Sequence, residues 1–373
     1  MTRTYGVSTI ALFGFFASVT APPLASATTI DHYVQSDLVS DVPGLADVTD
    51  ANLKNPWGIS FGATGPFWVS DQNTGVATLY SVTGASVAKL GLTVGIPKTA
   101  SGPQGPTGQV FNGTSSFVVG SAPAFFIFAN LNGTISAWAG GAAATIEATT
   151  PGATYTGLAI DKSNPAAPRL YAANDAAGRI DVFDGSFAPV TLPAGAFTDP
   201  SLPAGLVPFN VQNIGGKIYV TYALPGRTAQ VAATEGEGAV AIYDTNGVLL
   251  QTLISGSKVA SPWGLALAPA NFGEFSDDLL VGNFSYAAGE INAFDPTTGA
   301  FLGTLDSDPA FQGLWALTFG NGGMGGNPDT LYFSTGLDAE ADGLFAALFV
   351  PEPGSLGLLG FGLMGLAASR RKR

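Results

Sequence analysis

The chain of 373 residues has no cysteine, one histidine and few charges of either sign. Each shortage removes a class of chemistry. Without cysteine there are no disulfides, no thiolate metal sites and no cysteine nucleophile. With His32 alone, a histidine metal cluster is ruled out, and imidazole acid–base chemistry or a Ser-His-Asp arrangement would depend on one residue close to the N-terminus. Charged residues make up 11% of the chain, against about 25% in an average globular protein. Lysine and arginine total 14 against 27 acidic residues, for a net charge of −13. That sign disfavours a phosphate backbone, so no nucleic-acid partner is expected. It suits solubility or the attraction of cations and basic surfaces. Glycine (50) and proline (25) are plentiful, and such a chain reads as turn-rich and all-β rather than helical.

Both ends carry targeting signals. Arg3 precedes an uncharged stretch, Val7 to Thr20, followed by Pro22, Pro23 and Ala25-Ser26-Ala27. This is the pattern of a secretory signal peptide over residues 1–27 with an Ala-x-Ala cleavage site, and the run is shorter than the ~20 residues of a spanning helix. At the other end Pro351-Glu352-Pro353 leads into an uncharged apolar stretch, Gly354 to Ser369, closed by Arg370-Arg371-Lys372-Arg373. A helix of those residues would be about 24 Å long, enough for transient membrane anchoring only with help from Phe349 and Val350 or bilayer thinning, with the basic cluster held in the cytoplasm. The order of motif, apolar helix and basic cluster over residues 350–373 resembles the PEP-CTERM sorting signal of Gram-negative bacteria. The resemblance implies recognition by an exosortase and cleavage near the motif. The alternative is an ordinary C-terminal anchor.

Between these ends the chain repeats. The runs Pro56-Trp57-Gly58-Ile59, Pro106-Thr107-Gly108-Gln109, Tyr155-Thr156-Gly157-Leu158, Pro208-Phe209-Asn210-Val211, Pro262-Trp263-Gly264-Leu265 and Leu314-Trp315-Ala316-Leu317 recur at steps of 50, 49, 53, 54 and 52 residues. Second strands are expected at Phe67 to Ser70, Arg169 to Ala172, Lys217 to Val220, Leu279 to Val281 and Leu331 to Phe333. Glycine-led third strands follow at 75–80, 133–138, 178–183, 238–243, 289–294 and 343–348. Alternation is clean in Arg179-Ile180-Asp181-Val182-Phe183. Turns such as Asp184-Gly185 and Asp244-Thr245-Asn246-Gly247 lead to weaker fourth strands at Val248 to Leu253 and Phe301 to Leu305. Four strands per repeat at this period predict a six-bladed β-propeller over residues 28–349. The small residue of each first strand lets neighbouring inner strands approach closely, and Trp57, Trp263 and Trp315 are expected to fill the space between blades. The sixth repeat has no fourth strand, while residues 32–39 belong to no repeat, so the N-terminal segment is predicted to pair with Gly343 to Phe349 and close the ring.

The runs Asn55-Pro56-Trp57-Gly58-Ile59, Asn210-Val211-Gln212-Asn213, Ser261-Pro262-Trp263-Gly264 and Gly320-Asn321-Gly322-Gly323 resemble an uncharacterised family of secreted bacterial propellers, some with PEP-CTERM tails. The resemblance implies the fold and export, and brings no catalytic residues. Relatives carry a more His- and Asp-rich segment where this chain reads Arg227 to Glu235, which puts a metal role for that loop in doubt.

The remaining functional signal is a set of oxygen donors in the turns between second and third strands. It comprises Asp71 and Asn73, Asn130 and Asn132, Asn174 and Asp175, Glu235 and Glu237, Asn283 and Glu290, and Asp338, Glu340 and Asp342. Such a ring suits a hard cation such as Ca²⁺, although Asn and Asp are also ordinary turn formers. Residues 338–349 imitate the start of an EF-hand, but the twelfth position is Phe349 and the flanking elements are strands. The long connections Gly91 to Gly105 and Leu192 to Val207 point to the same face. Two functions are therefore expected: an exported, cell-surface or matrix-associated binding module for extracellular polysaccharide, or a divalent-cation-dependent hydrolase or lactonase of the propeller type.

Overall fold

A computed structural model describes residues 33–100, 102–305 and 311–351. The signal segment 1–27, His32, and the tail from Glu352 through Arg370, Arg371, Lys372 and Arg373 lie outside the described residues.

Six antiparallel sheets follow one another along the chain, one per repeat. Blade one is Pro56–Ser60, Phe67–Asp71, Val76–Thr83 and Ser86–Gly95, from the inner to the outer strand. Blades four and five have the same order, with outer strands Leu249–Ser255 and Phe301–Thr304. Blade two has its second strand at Phe126–Asn130, displaced by a small hairpin of Val118–Val119 with Ala122–Pro123; the repeat pattern marks no strand there. Blade three has only Tyr155–Asp161, Arg169–Asn174 and Arg179–Asp184. Its fourth strand is reduced to a bridge between Phe183 and Pro189 and one hydrogen bond from Val190 N–H to Val182 O. Pro189 and Pro193 explain this, because neither has an N–H to donate to a ladder.

Strand residues alternate between the two faces of a blade, and both faces are covered by neighbouring blades. Phe67 and Val69 pack with Tyr332, Phe345 and Ala347 of blade six, whereas Trp68 packs with Phe126 and Phe128 of blade two. One such cluster fills each of the six interfaces between blades. The hydrophobic stabilisation is thus spread around the ring.

The ring closes as the leftover strands predict. Val34–Ser40 pairs antiparallel with Asp342–Phe349, from Val34 opposite Phe349 to Ser40 opposite Leu344, with a bulge between Asp37 and Val39. Ser40 Oγ donates to Gly343 O at 2.7 Å, and Tyr33 Oη donates to Phe272 O at 2.8 Å. A further short strand, Val48–Thr49, adds in parallel outside it.

Candidate functional site

The axis of the ring is built from the six inner strands. The small residues face the neighbouring blade: a Cβ on Gly58 would lie 2.5 Å from Thr107 O, and one on Gly108 would lie 2.9 Å from Gly157 Cα. In blades one, four, five and six the residue before this position is a large aromatic that turns toward the axis. Trp57, Phe209, Trp263 and Trp315 meet there with Phe284, all buried. Trp57 stacks on Trp315 at 3.5 Å between centroids, Phe284 stacks on Trp315 at 4.3 Å, and Trp263 meets Trp315 edge-on at 5.7 Å. Trp263 Nε1 of blade five reaches Thr156 O of blade three at 2.9 Å. The sequence suggested that these tryptophans fill the gaps between blades; in the structure they plug one end of the axis instead.

The plug is covered from blade four. Its turn between second and third strands runs from Ala223 to Gly238 and contains a short helix, Arg227–Ala232. The Arg227 guanidinium lies 3.9 Å from the Phe284 centroid, 4.6 Å from Trp315 and 5.2 Å from Trp57, a cation–π arrangement. Arg227 Nε donates to Glu340 Oε2 at 2.9 Å, forming an ion pair between the turns of blades four and six. Burial lowers the Arg227 pKa to about 9, so it is still charged at neutral pH. Gln230 Nε2 donates to Asp175 Oδ1 at 2.9 Å, and burial raises the Asp175 pKa.

The expected oxygen donors separate into two groups. Asp71, Asn130, Asn174 and Asn283 end the second strands of their blades and are buried. Asn174 Oδ1 accepts from Thr154 N and Ala177 N, Asn283 bridges Ala260 N and Lys258 O, and Asn130 Nδ2 donates to Thr134 and Ser136. These bonds tie down the turns of their own blades, while Asn130 Oδ1 is buried without a partner. At the rim, Asn132 caps Thr134, Glu235 pairs with Lys258, Glu237 accepts from Thr234 and Asp342 pairs with Lys54. Asp338 is exposed, in a left-handed turn through Ala339 and Glu340. Glu290 hydrogen-bonds Asn283 through its backbone, its carbonyl accepting from Asn283 N. Asn73, whose Nδ2 donates to Glu340 O at 2.5 Å, converges with Glu340 and Asp175 around the helix Arg227–Ala232. Among the described residues no group of three or more His, Cys, Asp or Glu is placed to hold a metal ion. The first long connection meets the axial end of blades one and two, where Gln104 O accepts from Gln72 Nε2 and Gly105 O accepts from Leu131 N. Residues 91–95 belong to the outer strand of blade one, and Phe197 of the second connection packs on Tyr171 and Tyr243 at the outer rim.

Asp71 is the one carboxyl among the four buried strand-end residues. Thr78 Oγ1 donates to its Oδ2 at 2.7 Å, while Oδ1 is buried without a partner. Burial raises its pKa well above the ordinary carboxylate value. The folded state therefore binds the proton more tightly, and its stabilising contribution is fully present below about pH 4 and lost as pH rises through the folded value. Asp71→Asn reproduces the side chain of the other three blades and is expected to stabilise the protein by about 1–3 kcal/mol at pH 7. The gain should shrink toward pH 4; thermal unfolding across pH 4–8 measures it, and an equal gain at every pH would be the contrary result.

Beyond the plug the axis opens into a cavity of about 190 Å³, lined by the halves of the inner strands that lead away from the helix-covered face. Its polar lining is Gln109, Asn210, Gln212 and Asn213, with Trp263 and aliphatic residues around them. No lining residue is titratable. Gln212 bonds both the N–H and the C=O of Leu265, Asn210 donates to Trp263 O, and Asn213 donates to Ile160 O. Gln109 Nε2 donates to Gly58 O and Trp68 O, and its buried Oε1 has no partner. Sequence reasoning passed over these amides and Arg227. The signals were polar residues in an otherwise apolar inner strand, and one turn much longer than its five counterparts.

Residues 349–372 match the PEP-CTERM protein-sorting motif. Two uncharacterized proteins of Acanthamoeba polyphaga mimivirus are similar over most of the chain. One is 28% identical over 351 residues, covering 89% of each chain, and the other is 27% identical over 330 residues, covering 83% of this chain and 78% of its own. Among solved structures, virginiamycin B lyase from Staphylococcus aureus shares the fold, with a TM-score of 0.51 at 11% identity over 86% of this chain and 100% of that one. The protein is a six-bladed β-propeller closed by its N-terminal strand. It carries a PEP-CTERM motif, which points to export and sorting and implies processing by an exosortase.

Proposed function

We propose that the chain is an exported binding propeller, delivered to the cell surface or the extracellular matrix, that engages extracellular polysaccharide without chemically changing it. In this reading residues 1–27 are a signal peptide, and the tail beyond Val350 is a transient anchor. A bacterial source rests on that tail, because the relatives above are viral proteins. One observation carries the non-catalytic reading: the axial cavity is lined by amides, aliphatic groups and a tryptophan, with no carboxylate, imidazole, amine or guanidinium. Hydrolysis needs a positioned acid, base or nucleophile, and tight Ca²⁺ sites draw much of their affinity from carboxylates; this lining has neither. The test is a glycan array on the mature body, with and without a chelator. Chelator-resistant glycan binding is the expected result. Stoichiometric Ca²⁺ with turnover of a polysaccharide or lactone would replace this reading by the cation-dependent hydrolase.

For sorting, the mature protein in cells with an exosortase is expected to end near Val350 and to lack Arg370, Arg371, Lys372 and Arg373. Intact-mass measurement of the exported protein decides this. Retention of the four basic residues would mean the tail serves as an ordinary anchor.

A further inference from the structure

We infer that the vacant outer place of blade three is a docking groove for an extended peptide of a partner protein, in which an apolar residue is followed by a single carboxylate. The groove is separate from the axial cavity, and the inference does not depend on the polysaccharide reading.

Among the described residues, blade three alone ends at its third strand, Arg179–Asp184. The direction of its edge groups follows from the two outward bonds it does make. Asp184 N donates to Ala188 O, and Val182 O accepts from Val190 N, so the even-numbered residues turn their main-chain groups away from the sheet. Ile180 therefore points both its N–H and its C=O outward, and no described residue bonds to either of them there. The chain does not fill the place itself. Pro189 and Pro193 have no N–H to donate, and the connection then leaves for blade four, where Phe197 N donates to Gly247 O.

What remains is a groove of about 440 Å³, within the roughly 300–1,000 Å³ of ordinary binding sites. Residues 149–151 flank the edge on one side and residues 193–197 on the other. Such a recess admits one extended segment and keeps out the outer strand of a second folded body. Leu192, Ala196 and Phe197 form its apolar part, on the face where Ile180 and Val182 pack. Arg179 and Asp181 take the opposite face, where Tyr155 Oη ties Asp181 to Thr150. A segment lying antiparallel here adds the missing strand by β-augmentation. One of its residues exchanges two ladder bonds with Ile180 and sends its side chain to the apolar part, and the next residue lies opposite Arg179. Asp181 already accepts from Arg179 Nε, Asn174 Nδ2 and Tyr155 Oη, so it calls for no cation. Arg179 is 60% exposed, and its guanidinium can take a carboxylate from that next residue. A longer acidic run is disfavoured by the net charge of −13.

The test uses the mature protein and the blocked hexapeptide acetyl-Ser-Thr-Val-Glu-Thr-Ser-amide, with Ile, Leu and Phe counterparts at the valine. Binding is read by two-dimensional amide NMR. At least one peptide should bind with a sub-millimolar Kd and shift the Ile180 amide signal. Methylating the nitrogen of its apolar residue removes the donor to Ile180 O and should weaken binding about tenfold. Replacing its Glu by Gln should weaken binding to the parent protein about fivefold, whereas Arg179→Gln should bind the two peptides alike. Failure of all the peptides at millimolar concentration, an N-methyl peptide that binds like its parent, or signal shifts confined to other blades would each overturn the inference. Equal discrimination between Glu and Gln by the parent and Arg179→Gln would overturn the pairing with Arg179. None of these outcomes alters the glycan array, so this inference and the polysaccharide reading fail separately.

Discussion

Deleting residues 28–40 is expected to lower the unfolding temperature by on the order of 10 °C and to make a monomeric protein self-associate. Within that segment Val34–Ser40 pairs with Asp342–Phe349, and Tyr33, Leu38 and Val39 are buried in the last two interfaces of the ring. Burying each such side chain contributes about 1.5–3 kcal/mol, so the loss is roughly 5 kcal/mol before any ladder hydrogen bond is counted. For a domain of this size each kilocalorie corresponds to about 2–4 °C. The second effect follows from the backbone. Once Val34–Ser40 is gone, the strand Asp342–Phe349 presents unpaired N–H and C=O groups along a largely apolar strand, which is a template for another chain. Differential scanning calorimetry and light scattering on the truncated body measure the two effects separately. A truncated protein that melts with the parent and stays monomeric would show that the closing strand is dispensable. The point variant Val39→Asp places a charge at a fully buried position and should reproduce most of the thermal loss with the strand still present.

The closing strand was legible because counting repeats left one strand over at each end. The six inner strands were legible for a similar reason: a Gly or Ala recurs every fifty or so positions in five of them, with Asn210 in the fourth. What periodicity could not show is which way a side chain points when both faces of a blade are buried. Trp57, Trp263 and Trp315 read as interface filler, and the structure turns them into the axis, because Gly58, Gly264 and Ala316 take the side facing the neighbouring blade. Composition was also silent on the hydrogen-bond partners of the oxygen-rich turns. Asn130, Asn174 and Asn283 spend their amides on their own turns. The Arg227 cover was hidden because the long second-to-third turn that holds it, between Ala223 and Gly238, leaves the blade-four step close to its neighbours.

The same crowding that made the repeats legible sets the second large effect. At Gly157 an added Cβ would lie 2.8 Å from Asn210 Cα, and at Gly108 it would lie 2.8 Å from Gly157 C. These neighbours are backbone atoms or the base of a side chain, so no rotamer change relieves the contact, and one inner strand must move away from the next. The contacts run in series from Gly58 through Gly108 and Gly157 to Asn210, so a shift at one joint is transmitted to the others and to the plug above them. Gly157→Ala is therefore expected to cost about 3 kcal/mol, at the upper end for overpacking, and to lower the unfolding temperature by several degrees. Gly157→Val should prevent folding into a closed ring. Ala316→Gly is the control, since blade six already accommodates a Cβ at the equivalent position; there only backbone entropy changes, worth about 0.5–1 kcal/mol. Melting temperatures of the three variants decide the matter. If Gly157→Ala melts within a degree of the parent, the inner ring has slack, and close approach of the backbones is not what selects glycine at these positions.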